Sequence, residues 1–187
     1  SCSLMFQTPV FAAEETTTDT QTDASAVTTN SIPGWPQGPE ITSSAAVIME
    51  DATQTLLYSK NMDQVLYPGA TVKIMTTLLA LENCQLTDQV TMTATGVSGV
   101  TDGGANISAQ LDEVFTVEQC LYAIMLSSAN DIALQLSEHI GGSVDAFVQM
   151  MNETAQSLGM TGTHFVNPHG LHNDDHYTTV YDIYLML

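Results

Sequence analysis

Cationic chemistry has few places to reside in this chain, which holds two lysines, Lys60 and Lys73, and no arginine. Lys73 sits in the run Tyr67-Pro68-Gly69-Ala70-Thr71-Val72-Lys73-Ile74-Met75-Thr76. Pro-Gly breaks the chain and an apolar helical pattern follows, so positions 70 and 73 fall one turn apart on a shared face. An amine held there beside Val72 and Met75 loses hydration, which favours its neutral form and fits it to accept a proton. The group such a base would serve is a nucleophile at position 70. The residue there is Ala70, and a methyl group attacks nothing. Thr71 is rotated about 100° around the helix from that position, so it does not stand in.

A second set is Ser127-Ser128-Ala129-Asn130-Asp131, in a turn between two helical patterns. The Ser128 hydroxyl can relay a proton to a leaving nitrogen, and the Asn130 carboxamide can hold a peptide. Serine and asparagine are also ordinary helix caps, so this set gains weight only from its order and spacing relative to Ala70 and Lys73. The third set runs from Phe165 to Thr179 and gathers His169, His172, Asp174 and His176. Those groups could ligate a metal, but the one H-x-x-x-H pair, His172 and His176, lies in an irregular polar segment and not on a helical pattern. Imidazoles and carboxylates in a Pro/Gly loop commonly bond locally instead. The expectation is no metal and no cofactor.

The elements that must hold these residues can be read from periodicity. Ala45 to Met49 and Gln54 to Tyr58 form two strands of a hairpin. A helix spans about Ala70 to Asn83, with apolar residues on more than one stripe, and is expected to be buried on most sides. Asp88 to Gly104 gives weak strand signals. Thr116 with Gln119 forms a capping box for a helix reaching about Met125. Further helices cover Asn130 to Ile140, closed by Gly141-Gly142, and Val144 to Leu158. A last helix opens at Thr178 or Thr179, and the sequence stops within it, which reads as a chain cut short.

Composition narrows the partners. The net charge is -19, with 21 acidic residues. Such a surface repels phosphate backbones and anionic lipid heads, so nucleic acid is excluded as a partner. Residues 1–13 are mildly apolar and end in small residues, like the remnant of a signal peptide. Residues 14–40 read as a Thr/Asp-rich, then Pro/Gly-rich, linker. The folded domain is placed at 41–187. Cys2, Cys84 and Cys120 show no disulfide framework, and Cys84 and Cys120 read as buried free thiols.

Together the three sets closely resemble the serine-type D-alanyl-D-alanine carboxypeptidases, the low-molecular-weight penicillin-binding proteins. That family commonly reads Y-P-A-S-T-T-K-I-M-T, then S-A-N-D, then N-P-H-G-L-H with H-Y-T-T, and ends its motif set on K-T-G. The chain matches at Tyr67, Pro68, Lys73, Ile74, Met75 and Thr76, at Ser128 to Asp131, and almost throughout Asn167 to Thr179. It departs at Ala70, where the family has its nucleophilic serine, and it contains no K-T-G. A class A β-lactamase would share the first motifs but not Asn-Pro-His-Gly.

The resemblance implies an α/β fold (an α+β sandwich) of the penicillin-binding, β-lactamase-like transpeptidase type, with an N-terminal hairpin, a helical block, and the C-terminal strands of the antiparallel sheet missing. It implies a hydrolase that trims the terminal D-Ala of peptidoglycan stem pentapeptides through an acyl-enzyme. In it Ala70 marks the nucleophile position, Lys73 is the general base, Ser128 the proton relay and Asn130 the substrate clamp. As written, with Ala70, the chain would be close to inert. The alternative is a non-catalytic relative that binds stem peptides or a protein partner. The implied ligands are stem peptides and β-lactams, the latter held non-covalently. The implied location is extracytoplasmic, with membrane association left open.

Overall fold

A computed structural model describes residues 28–29, 38–100 and 103–187. The signal-peptide remnant expected over 1–13, Cys2, and most of the 14–40 linker lie outside the described residues. Among the described residues, two short antiparallel sheets and a block of helices make up the architecture. In the first sheet, β1 (Thr28–Thr29), β3 (Thr55–Lys60) and β2 (Ala46–Glu50) lie in the order β1-β3-β2. The β2–β3 hairpin stands where the two apolar runs placed it, with a register shift between Ile48 and Met49. Its turn is held by Glu50, whose carboxylate accepts from the Thr53 backbone N–H at 2.7 Å.

After the hairpin a single 3-10 turn, Gly69–Thr71, leads into α1 (Val72–Asn83). This helix buries Val72, Lys73, Met75, Thr76, Leu79 and Ala80, while Leu81 is exposed. Its burial is therefore a broad face at 3–4 spacing instead of the nearly complete burial expected, since the last turn leaves the core. The Asp88 to Gly104 stretch holds β4 (Gln89–Thr91), paired to β5 (Val114–Thr116), and a five-residue helix α2 (Ala94–Ser98) that periodicity did not show. Tertiary contacts make α2: Thr93 caps it, and the Gln135 side chain accepts from the Thr93 and Gly96 backbone N–H groups. Gly96 packs so close to Met92 Cε, Gln135 Cβ and the Asp131 carbonyl that an added Cβ would press on all three.

The remaining helices are α3 (Val117–Ser127), α4 (Asn130–Gly141), α5 (Val144–Ser157) and α6 (Val180–Leu185). The capping box at Thr116 and Gln119 forms as read, both reciprocal bonds being present. The left-handed stop falls on Gly142 at φ 76°. Two apolar clusters flank α1. One joins Ala80, Val90, Met92 and Cys120 to Ile132 and Leu136 of α4; the other joins Val72, Met75 and Leu79 to Phe147, Met151 and Phe165. The broad buried face of α1 thus packs against both clusters, and a group on it is held rigidly. Cys84 and Cys120 are free, and burial pushes the Cys120 thiol up to about 12.

Candidate active site

Lys73 lies on the first turn of α1 and is only 4% exposed. Its Nζ donates to the Asn130 Oδ1 at 2.7 Å and to the His169 carbonyl oxygen at 2.6 Å. The residues that meet at this amine come from three distant parts of the chain. Burial lowers its pKa from 10.5 to about 8. A neutral amine carries two N–H donors, and these two acceptors engage both, which leaves the nitrogen lone pair for an incoming proton. The desolvation expected from Val72 and Met75 is present, both side chains being fully buried.

Ala70 lies in the 3-10 turn just before α1 and is exposed, so position 70 opens to solvent while the amine three residues on does not. The Thr71 hydroxyl donates to the Pro68 carbonyl at 2.7 Å and is occupied there. Nothing in the turn replaces the missing hydroxyl.

Asn130 is the first residue of α4. Its backbone N–H donates to the Ala105 carbonyl at 2.8 Å, and its Nδ2 lies so near Gly104 that a side chain at 104 would displace it. The buried Asp131 carboxylate accepts from the Ile107 and Ala109 backbone N–H groups, tying the 104–109 loop to the same helix start. Ser128 caps α3 in the left-handed region at φ 54°, half-buried, two residues before Asn130. Its hydroxyl makes no hydrogen bond to another side chain among the described residues.

The segment from Phe165 to Thr179 divides between scaffold and site. Its backbone, not its imidazoles, reaches the lysine: the His169 carbonyl takes the Lys73 proton donor, and the Pro168 carbonyl accepts from the Thr76 hydroxyl at 2.7 Å. Gly170, at φ +87°, sits against Gly69 and Ala70 so tightly that a Cβ would lie 1.9 Å from the Gly69 oxygen. The side chains considered as metal ligands separate. His172 pairs with Asp174 at 3.3 Å on the surface and stands edge-on to Tyr67. His176 is buried against Phe165, and neither ring nitrogen has a partner among the described residues. His169 Nδ1 accepts from the Leu171 backbone N–H at 3.1 Å. Among the described residues no group of three metal-ligating side chains forms. Sequence reasoning missed the His169 and Pro168 carbonyls, because a backbone acceptor leaves no mark in residue types.

The family model described as D-alanyl-D-alanine carboxypeptidase matches residues 30–187. The D-alanyl-D-alanine carboxypeptidase DacF of Bacillus subtilis is 36% identical over 147 residues, covering 76% of this chain and 37% of its own. The D-alanyl-D-alanine carboxypeptidase of Streptomyces sp. strain K15 is 33% identical over 153 residues, covering 75% of this chain and 52% of its own. Among solved structures, penicillin binding protein 5 from Haemophilus influenzae superposes with a TM-score of 0.76 at 29% identity, covering 81% of this chain and 46% of that one. The Streptomyces K15 DD-transpeptidase gives a TM-score of 0.75 at 30% identity, with 79% and 60% covered. The chain therefore spans about a third to a half of the length of the curated relatives described, and its fold is the one these penicillin-binding structures share.

Proposed function

Because this chain belongs to the D-alanyl-D-alanine carboxypeptidase family, we propose that it binds the D-Ala-D-Ala end of peptidoglycan stem peptides in that family's site and forms no acyl-enzyme there. The observation that carries this reading is the Lys73 amine, 2.7 Å from the Asn130 carboxamide oxygen and one turn from an exposed position 70. In this reading Lys73 is the general base, with a pKa near working pH that suits it to exchange protons. Ser128 is the proton relay to the leaving nitrogen, and Asn130 holds the substrate amide. Ala70 occupies the place of the attacking oxygen, so the peptide is held and not cleaved. Loss of a nucleophile leaves only what binding and oriented dipoles supply. The same pocket accepts a β-lactam without bonding to it. In this reading the protein acts on the extracytoplasmic side, which the family's work on the cell wall supports, and the apolar composition of residues 1–13 supports secretion. No helix among the described residues is long and apolar enough to cross a membrane.

The test is binding of an N-acetylated peptide ending in D-Ala-D-Ala, followed by calorimetry, with the L-Ala-L-Ala isomer as control. The reading expects the D,D peptide to bind, to remain intact over hours, and to lose about tenfold or more of its affinity in Asn130→Ala, as removal of a buried amide contact costs. Equal affinity for both isomers, or cleavage by the chain as it stands, would overturn it.

A further inference from the structure

The loop that meets α1 is itself organised by one side chain. Asn167 Oδ1 accepts from the His169 backbone N–H at 3.3 Å and the Gly170 N–H at 2.7 Å, and its Nδ2 donates to the Leu171 carbonyl at 2.9 Å. One carboxamide thus engages three successive residues of the turn. Folding the N–H groups of residues 169 and 170 inward onto Asn167 leaves the carbonyls of 168 and 169 to face outward. Those two carbonyls receive Thr76 and Lys73, which lie three residues apart on one face of α1. Gly170 closes the third contact, pressed on the backbone of Gly69 and Ala70. The turn therefore grips the 3-10 turn at residues 69–70 and α1 at residues 73 and 76.

We infer that Asn167 is a positioning residue: by setting the turn that aims the His169 carbonyl, it holds the Lys73 amine in its dry, two-acceptor arrangement. The inference rests on the reading of Lys73 as base and names the residue that keeps it one. Asn167 touches neither the amine nor position 70; it acts through the turn. Among the described residues, the titratable side chains next to the two acceptors along the chain are His169 itself on the turn and Asp131 on α4. The Asp131 carboxylate is engaged by Ile107 and Ala109. Burial is the one cause of the Lys73 shift, so the predicted effect of loosening the turn is hydration of the amine and a rise of its midpoint.

The protein's two lysines make the test direct. In the 187-residue chain labelled with 13C at lysine Cε, two side-chain signals are expected, and Lys60→Arg assigns them. Asn167→Ala should raise the Lys73 midpoint by about one pH unit. Asn167→Ser, whose hydroxyl can still accept within the turn, should give an intermediate value. Asn152→Ala is the structural control: Asn152 braces the same segment through two bonds to the Phe165 backbone. It should lower the melting temperature and leave the Lys73 midpoint in place. An unchanged midpoint in Asn167→Ala, or an equal rise in Asn152→Ala, would overturn the inference. If Asn167→Ala does not fold, the Asn167→Ser midpoint decides in the same terms. A parent Lys73 that titrates at an ordinary lysine value would instead remove the base reading itself, a result distinct from failure of the positioning role.

Discussion

The Lys73 amine and the Asn130 carboxamide oxygen lie 2.7 Å apart although 57 positions separate them in sequence. α1 and α4 bring them together, each packed into the apolar cluster that holds Ala80, Ile132 and Leu136. With the His169 carbonyl on its other donor, the amine is fixed where a neutral base is useful and a cation is costly.

That cost has a pH signature. The Lys73 pKa is about 8 in the folded chain against 10.5 for the ordinary group. The unfolded chain therefore binds more protons between those values, and stability on account of Lys73 rises as pH climbs from 8 to 10.5. Comparison with Lys73→Met isolates the effect. From pH 7 to pH 10 the difference in unfolding free energy should move in favour of the lysine protein by about 2 kcal/mol. Parallel stability curves for the two proteins would contradict it.

His176 should act at the acid end. Burial first, and then the nearby His164, lower its pKa from 6.5 to about 4. The unfolded chain takes up a proton near 6.5 that the native chain refuses, so stability falls as pH drops from 6.5 towards 4 and the loss is complete below that. His176→Phe, which keeps an aromatic ring against Phe165, should flatten this limb of the pH profile of unfolding free energy, read by urea titration, by about 3 kcal/mol. An acid limb unchanged in the variant would place its origin elsewhere.

Gly170→Ala should be among the most damaging single substitutions. The added methyl would overlap the Gly69 carbonyl, and φ +87° is strained for any side chain. A loss of about 3 kcal/mol or more is expected in denaturant titration. Gly142, also left-handed at φ +76° but with open space around its Cα, should tolerate alanine at a cost of about 1 kcal/mol. Equal losses at the two positions would deny that the contact with the 69–70 turn matters.

The Thr116 capping box gives a smaller and cleaner effect. Thr116→Ala removes the acceptor for the Gln119 N–H at 3.2 Å and should cost about 1 kcal/mol. A cost near zero would mean that packing of α3 against α1 and α4 alone decides its start.

How far the sequence reveals this arrangement depends on the range of the interaction concerned. The hairpin, the capped start at Thr116 and the stop at Gly142 are local and readable, because turn chemistry and period sit within a few residues. The pairing of Ala70 with Lys73 is equally local. The joining of Lys73 to Asn130 was accessible only through the order of the motifs, since no periodicity spans that separation. The α2 helix was hidden because it exists through Gln135 and the close packing of Gly96, not through its own pattern. The β4–β5 ladder was similarly faint, three residues a side. The carbonyls of Pro168 and His169 were beyond residue types altogether: any residue offers the same acceptor, and only the Asn167 turn decides where it points.

In the proposed reading, position 70 stands one turn from the base Lys73 and lacks the attacking oxygen. It is tested most directly by intact-mass measurement after exposure to benzylpenicillin, using a chimera in which a full-length relative supplies the part of its own length that this chain does not span. With Ala70 in place the mass should stay unmodified. With Ala70→Ser it should increase by one penicilloyl group, and Lys73→Met in that background should abolish the increase. An adduct on the Ala70 protein, or no adduct on the serine variant in a folded chimera, would contradict the account.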